Sequence, residues 1–240
     1  MRRITSLVTL LCLTFAAAFA RPALASPSPL PPQIAVWSEF MPYAELTPLL
    51  PELQKRAVSL YLAVRESSLD SERELDDLSK LLQQAHRLGV EVRPWVLLDE
   101  KAGYWSNKWN YDETEALTLK LIQRLTALGF KPSWIILDLE PPPSQLRALS
   151  ARLKKSDLPG AWKILVEASR NGKISEARAK YRSLVEKLHT LSIRVHAVAN
   201  PIILHDFKTG KSSLESALGT PVRGIPWDEL SFMVYRPEFK

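Results

Sequence analysis

Apolar residues recur along the chain in two rhythms. Six short runs are apolar at nearly every position and rich in β-branched or aromatic residues: Ile34–Phe40, Ala57–Val64, Val92–Leu98, Trp134–Glu140, Ile193–Ala199 and Leu230–Arg236. Each reads as a strand. Apolar residues on both faces mark strands covered on both sides, as in a parallel sheet flanked by helices. Between most of these runs the apolar positions return every three or four residues, the spacing of a helix with one buried face. Leu75, Leu78, Leu82 and Ala85 form one stripe, Leu117, Leu121, Leu125 and Leu128 a second, and Ala177, Tyr181, Leu184, Val185 and Leu188 a third. Ser71 with Glu74, and Asp112 with Glu115, have capping-box spacing ahead of the first two stripes, and Gly89 and Gly129 end them. The joins Leu88-Gly89-Val90, Leu128-Gly129-Phe130 and Leu191-Ser192-Ile193 share one pattern, each carrying a helix end into a strand.

Strands alternating with helices predict parallel pairing through right-handed crossovers. Polar residues gather at the strand ends: Glu39, Arg65-Glu66, Asp99-Glu100, Asp138 with Glu140, Asn200 and Tyr235-Arg236. In β/α barrels that end of the strands carries the active site. The predicted class is therefore α/β, a (β/α)8 TIM-barrel-like domain over residues 34–240 with about six β/α units. A doubly wound sheet fits the alternation as well. Its phosphate-binding loop is missing, since no glycine-rich turn follows any strand and the chain has only eight glycines. Six strands leave a barrel two short, so the domain is expected to be incomplete on its C-terminal side. The stretch Ser144–Ser175 is too long for a simple crossover and predicts a helical excursion after the fourth strand.

The first 25 residues belong to neither rhythm. Arg2 and Arg3 precede an apolar run from Leu7 to Ala20, and Ala23-Leu24-Ala25 offers small residues for cleavage. This is the layout of a secretory signal, followed by a proline-rich tether over residues 26–33. The run is too short for a comfortable membrane span, and nothing later resembles one. The expected location is periplasmic or extracellular. The lone cysteine, Cys12, lies inside the signal, so the mature chain has no disulfide or thiolate chemistry. The signal also holds Arg2, Arg3 and Arg21 and no acid. Its removal takes 32 basic residues to 29 against 26 acidic, and the formal charge from +6 to +3. The remaining charges are mixed and form no basic stripe, so nucleic acid is not an expected partner.

The strongest local chemistry lies in Trp134-Ile-Ile-Leu-Asp138-Leu-Glu140-Pro-Pro-Pro143. Strand alternation puts Asp138 and Glu140 on one face above Ile136, and turns Ile135, Leu137 and Leu139 toward the covering helices. Two inward acids within about 7 Å repel each other, which raises one pKa and suits a general acid. A structural pair held by Arg65, Arg93 or Arg236 fits the same spacing. In Phe232-Met233-Val234-Tyr235-Arg236, alternation turns Met233 and Tyr235 inward. An inward tyrosine either donates to a reacting group or packs in the core with its hydroxyl satisfied.

These two motifs resemble the signatures of the family 18 glycoside hydrolases, the chitinase-like barrels. That family's fourth strand ends in an acidic motif whose last part is Asp-x-Glu, matched by Asp138-Leu139-Glu140. Its sixth strand carries Met-x-Tyr, matched by Met233-Val234-Tyr235, with Arg236 where the family has an acid or amide. The resemblance implies a glycosidase acting on a polysaccharide such as an N-acetylated one; with the signal and the residue content, the chain is expected to be an exported monomer without cofactor or metal. The resemblance also implies that Glu140 protonates the glycosidic oxygen, while Asp138 orients the substrate N-acetyl group and Tyr235 hydrogen-bonds it. The family's earlier acids on that strand fall at Ser133 and Ile136 here. This departure also fits a catalytically impaired barrel that binds glycans. A family 25 lysozyme-like hydrolase carries a similar acid pair. Trp37, Glu39, Trp105, Asn200 and Arg236 are the expected substrate-binding residues. The loop Lys101–Tyr111, rich in aromatic residues with Tyr104, Trp105 and Trp109, reads as a groove wall or as a plug over the rim. No histidine spacing gives a zinc set.

Overall fold

The computed structural model describes residues 34–170 and 173–234. Six strands form one sheet: β1 (Ile34–Ser38), β2 (Val58–Arg65), β3 (Val92–Leu97), β4 (Trp134–Leu139), β5 (Arg194–Ala199) and β6 (Glu229–Phe232). They lie side by side in chain order, and every neighbouring pair is parallel. A doubly wound sheet reverses its strand order partway, and this one does not. Side chains from both edge strands, Trp37 of β1 and Ser231 of β6, line one cavity. The sheet is therefore curled into a partial barrel.

Helices α1 (Tyr43–Leu46) and α2 (Leu50–Lys55) precede β2, and α3 (Glu66–Asp70) and α4 (Glu72–Leu88) precede β3. Helix α5 (Tyr111–Ala127) leads into β4. The predicted excursion after β4 is two helices, α6 (Pro143–Lys154) and α7 (Leu158–Arg170), ahead of the crossover helix α8 (Ile174–Thr190). Helices α9 (Leu204–Thr209) and α10 (Ser213–Leu218) connect β5 to β6. Among the described residues, no helix is long and apolar enough to cross a membrane.

Alternation along the strands sorts side chains into two cores. Leu60, Leu62, Val96, Ile135, Leu137, Leu139 and Val195 face outward. They pack against the stripes of α4 (Leu78, Leu81, Leu82), α5 (Leu117, Leu121, Leu125) and α8 (Tyr181, Leu184, Leu188). Each fully buried leucine contributes about 1.5–3 kcal/mol, so this layer is the main source of stability. The inner face carries a smaller cluster of Tyr61, Ala63, Trp95, Leu97, Ile136 and Val198. At its N-terminal end Arg93 lies 4.1 Å from the Trp134 ring and 5.3 Å from that of Tyr61. Its guanidinium pairs with Glu229 at 2.6 Å and Glu91 at 3.3 Å.

The three joins share one geometry. Val90, Phe130 and Ile193 donate their N–H groups to Ala85, Leu125 and Leu188 at 2.9, 2.9 and 3.0 Å. The residue before each is left-handed: Gly89 at φ 69°, Gly129 at φ 79° and Ser192 at φ 58°. The first predicted cap is present, with Glu74 N–H donating to Ser71 Oγ at 3.3 Å. The second is not. Helix α5 begins at Tyr111, which puts Asp112 inside its first turn.

Two strand ends fall short of the apolar pattern. Strand β4 stops at Leu139 because the prolines at 141–143 have no N–H to continue a ladder. Strand β6 spans Glu229–Phe232 rather than reaching position 236. Its partner β5 ends at Ala199, where Asn200 turns the chain into a 3-10 turn over Pro201–Ile203. The last bond between them runs from Met233 N–H to the Ala199 carbonyl at 3.1 Å. Tyr235 and Arg236 lie outside the described residues.

Candidate active site

Strand β4 is central and buried throughout, so any polar side chain on its inner face must be tolerated by its surroundings. Asp138 occupies that face, 4% exposed. The next inward residue, Glu140, lies just past the strand. The loop after β3 holds it in line. Ser106 N–H donates to the Asp138 carbonyl at 2.9 Å, and Glu140 N–H donates to the Ser106 carbonyl at 3.2 Å. Ser106 thus acts as a one-residue strand beside Leu139 and extends the pleat to Glu140.

The loop that supplies Ser106 is tied down by buried polar groups. Asn110 Oδ1 accepts from Asn107 N–H at 2.8 Å, and the Asn110 amide donates to the Ala102 and Trp105 carbonyls at 2.8 and 2.9 Å. Tyr181 of α8 donates its hydroxyl to the Asn107 carbonyl at 3.0 Å. Lys108 is fully buried, and its ammonium donates to the carbonyls of Ala168 and Ser216 at 2.5 and 2.9 Å. Both carbonyls lie in the last turns of helices, where the backbone dipole favours a cation. Burial still lowers the Lys108 pKa to about 8. The loop is both plug and wall: Ser106 to Lys108 is buried, while half-buried Tyr104 and Trp105 pack on the inner cluster.

Asp138 opens onto a cavity of about 490 Å³, lined by all six strands. Trp37 and Glu39 line it with Asp138, so three predicted site residues converge there. Trp37 meets Tyr61 and Trp95 edge to face, at 4.9 and 5.0 Å between ring centroids. Glu39 is engaged at the rim. It accepts a hydrogen bond from the Tyr104 hydroxyl and pairs with Arg65 at 3.4 Å. Arg65 also donates to the Glu39 carbonyl at 2.9 Å and to the Tyr104 hydroxyl at 3.1 Å.

Two of the arginines proposed as structural partners of the acid pair are therefore committed elsewhere, Arg65 to Glu39 and Arg93 to Glu91 and Glu229. Asp138 Oδ1 is buried without a hydrogen-bond partner. Burial, and then the Glu140 and Glu39 carboxylates, raise the Asp138 pKa well above the ordinary carboxylate range. Burial, and then the Glu39 carboxylate, push Glu140 up to about 7. Chemically, the pair can hold and deliver a proton near neutral pH.

Asn200 stands at the end of β5, where its side-chain oxygen accepts from Ile202 N–H at 3.0 Å and caps the 3-10 turn. Trp105 packs edge to face on Tyr104, at 5.1 Å between centroids, above the inner cluster. Several cavity residues escaped the strand-end reading: Tyr61, Trp95, His196, Glu229 and Ser231. Alternation held the signal, because Tyr61 and Trp95 share a face with the strand-end residues Arg65 and Asp99. His196 had no fixed direction in the sequence. It faces inward, bonded to the Ser231 hydroxyl at 2.7 Å and edge-on to Tyr61. Burial keeps it neutral by lowering its pKa to about 4. Among the described residues, no group of three or more His, Cys, Asp or Glu side chains is placed to hold a metal ion.

No family model matches the chain, and no curated protein matches it. Among solved structures, the YdjI aldolase from Escherichia coli K12 is 10% identical, with a TM-score of 0.38 over 84% of this chain and 75% of its own. The EAL enzyme Bd1971 in its cGMP-bound form is 11% identical, with a TM-score of 0.28 over 74% of this chain and 43% of its own. At these TM-scores neither likeness bears on what the chain does.

Proposed function

We propose that the chain is an exported glycoside hydrolase of the β/α-barrel class, with Glu140 as general acid/base and Asp138 as its partner. One observation carries the reading. Two adjacent inward carboxyls, both shifted toward the protonated form, stand at the C-terminal end of a central strand beside an aromatic-lined cavity. Protonated Glu140 can donate to a leaving-group oxygen, and sugar rings stack on faces such as that of Trp37. Tyr235 assists by the chitinase-like resemblance.

A second reading, a barrel that binds glycans without cleaving them, has two observations in its favour. The position of the family's inner acid is Ile136, and Asp138 Oδ1 has no hydrogen-bond partner to orient it. Hydrolysis of chitin, peptidoglycan and exopolysaccharide fragments separates the two. Turnover by the wild type should fall about 10²–10⁴-fold in Glu140→Gln. It should also decline as the pH rises past about 7, where Glu140 loses its proton. Turnover that survives the substitution rules out the acid role. Binding without turnover in the wild type selects the second reading.

A further inference from the structure

We propose that the cavity beside Asp138 takes a glycan bearing free ammonium groups, an amino sugar without its N-acetyl substituent. The inference rests on the carbohydrate reading and revises one part of it: Asp138 meets an ammonium rather than an N-acetyl group.

Glu39, Asp138, Glu140 and Glu229 stand on the inner face. Arg65 is taken by Glu39, and Arg93 by Glu229 and Glu91. Among the described residues this leaves Asp138 and Glu140 with no cation. His196 does not serve as one, since it is buried and neutral.

Unpartnered buried atoms point the same way. Asp138, Trp95 and His196 are 4%, 5% and 1% exposed and line one cavity. Each has a buried polar atom without a hydrogen-bond partner: Asp138 Oδ1, Trp95 Nε1 and His196 Nδ1. Such atoms are costly unless something polar enters. An amino sugar supplies hydroxyl acceptors for the indole N–H and a donor for the carboxylate.

The walls are suited to a cation as well. Trp37 meets both Tyr61 and Trp95 edge to face, and all three rings line the cavity. An ammonium near an aromatic face gains about 0.5–2 kcal/mol, most where water is excluded. Trp37 is 44% exposed at the mouth, so a ligand reaches it without rearrangement. A neutral N-acetyl group brings Asp138 no counter-charge and leaves it in the protonated form. An ammonium ionises Asp138, and the charge on Asp138 then keeps the proton on Glu140, where a general acid needs it.

The test is calorimetric titration of the protein with two soluble tetrasaccharides, one of glucosamine and one of N-acetylglucosamine, at a pH where the amine is protonated. The glucosamine tetramer should bind at least about tenfold more tightly. That advantage should shrink with added salt and disappear in Asp138→Asn, and Trp37→Leu should weaken binding of the same ligand. Cooperative melting of both variants establishes that they are folded. Equal or tighter binding of the N-acetylated tetramer overturns the inference and leaves the carbohydrate reading standing; this is the result if Arg236 already supplies the cation. No binding of either tetramer by folded wild-type protein overturns the inference and counts against the carbohydrate reading too.

Discussion

Glu140 carries a stability consequence apart from any activity. A glutamate ordinarily titrates at 4.5, and in the fold Glu140 titrates at about 7. Between those values the native state binds more protons than the unfolded chain, so stability falls as pH rises through the window. The raised pKa of Asp138 acts in the same direction. His196 acts oppositely on the acid side. Its folded pKa of about 4 lies below its ordinary 6.5, so the stability it contributes is lost as pH falls through that range. Comparing Glu140→Gln with wild type cancels His196 and reads Glu140 together with its effect on Asp138. The variant should match wild type near pH 4.5 and be more stable at pH 8, by on the order of 1–3 kcal/mol. Denaturant melts at the two pH values measure this. Equal stability at pH 8 would mean that Glu140 ionises freely there.

The repeated unit of the fold is a helix running into a strand through a left-handed residue. Glycine adopts that conformation without strain, and other residues do so at a cost of about 1–2 kcal/mol. An added Cβ at Gly89 would meet nothing within 4 Å, so its cost is conformational alone. Gly89→Ala should therefore destabilise by about 1 kcal/mol. Ser192→Gly should stabilise by about 0.5–1 kcal/mol, the relief of strain less the extra freedom of the unfolded chain. Equilibrium unfolding of the two variants checks both signs. Opposite signs would show that contacts rather than φ decide these joins. Leu88-Gly89-Val90 and its counterparts were legible in the sequence because the whole motif is local. Asp112 misled because Asn110 satisfies the loop before α5, and Asn110 contacts only become visible once the loop is folded.

At the scale of the molecule, the curled sheet has a graded interior. Strands β3 and β4 are buried along their whole length, while β1 and β6 at the two edges are half-buried or exposed. Opening an edge strand removes few contacts, so its free energy should lie well below that of global unfolding. Native-state hydrogen exchange should find the amides of β1 and β6 exchanging at least about 100-fold faster than those of β4. Uniform protection across the sheet would mean that the edges are covered in solution.

The strands β1 to β5, the three helical stripes and the shared face of Asp138 and Glu140 follow from the sequence alone. Periodicity, caps and breakers act over a few residues, and folding does not alter them. Tertiary structure decided the rest. Where β6 stops depends on Asn200 turning β5 away. Which acids Arg65 and Arg93 neutralise depends on neighbours 26 and 136 residues distant, Glu39 and Glu229. The direction of His196, and the way Ser106 carries the pleat on to Glu140, depend on strand register and on a loop anchored by Lys108. These are pairings between distant segments, and a local pattern of polar and apolar residues does not encode which partner each group will meet.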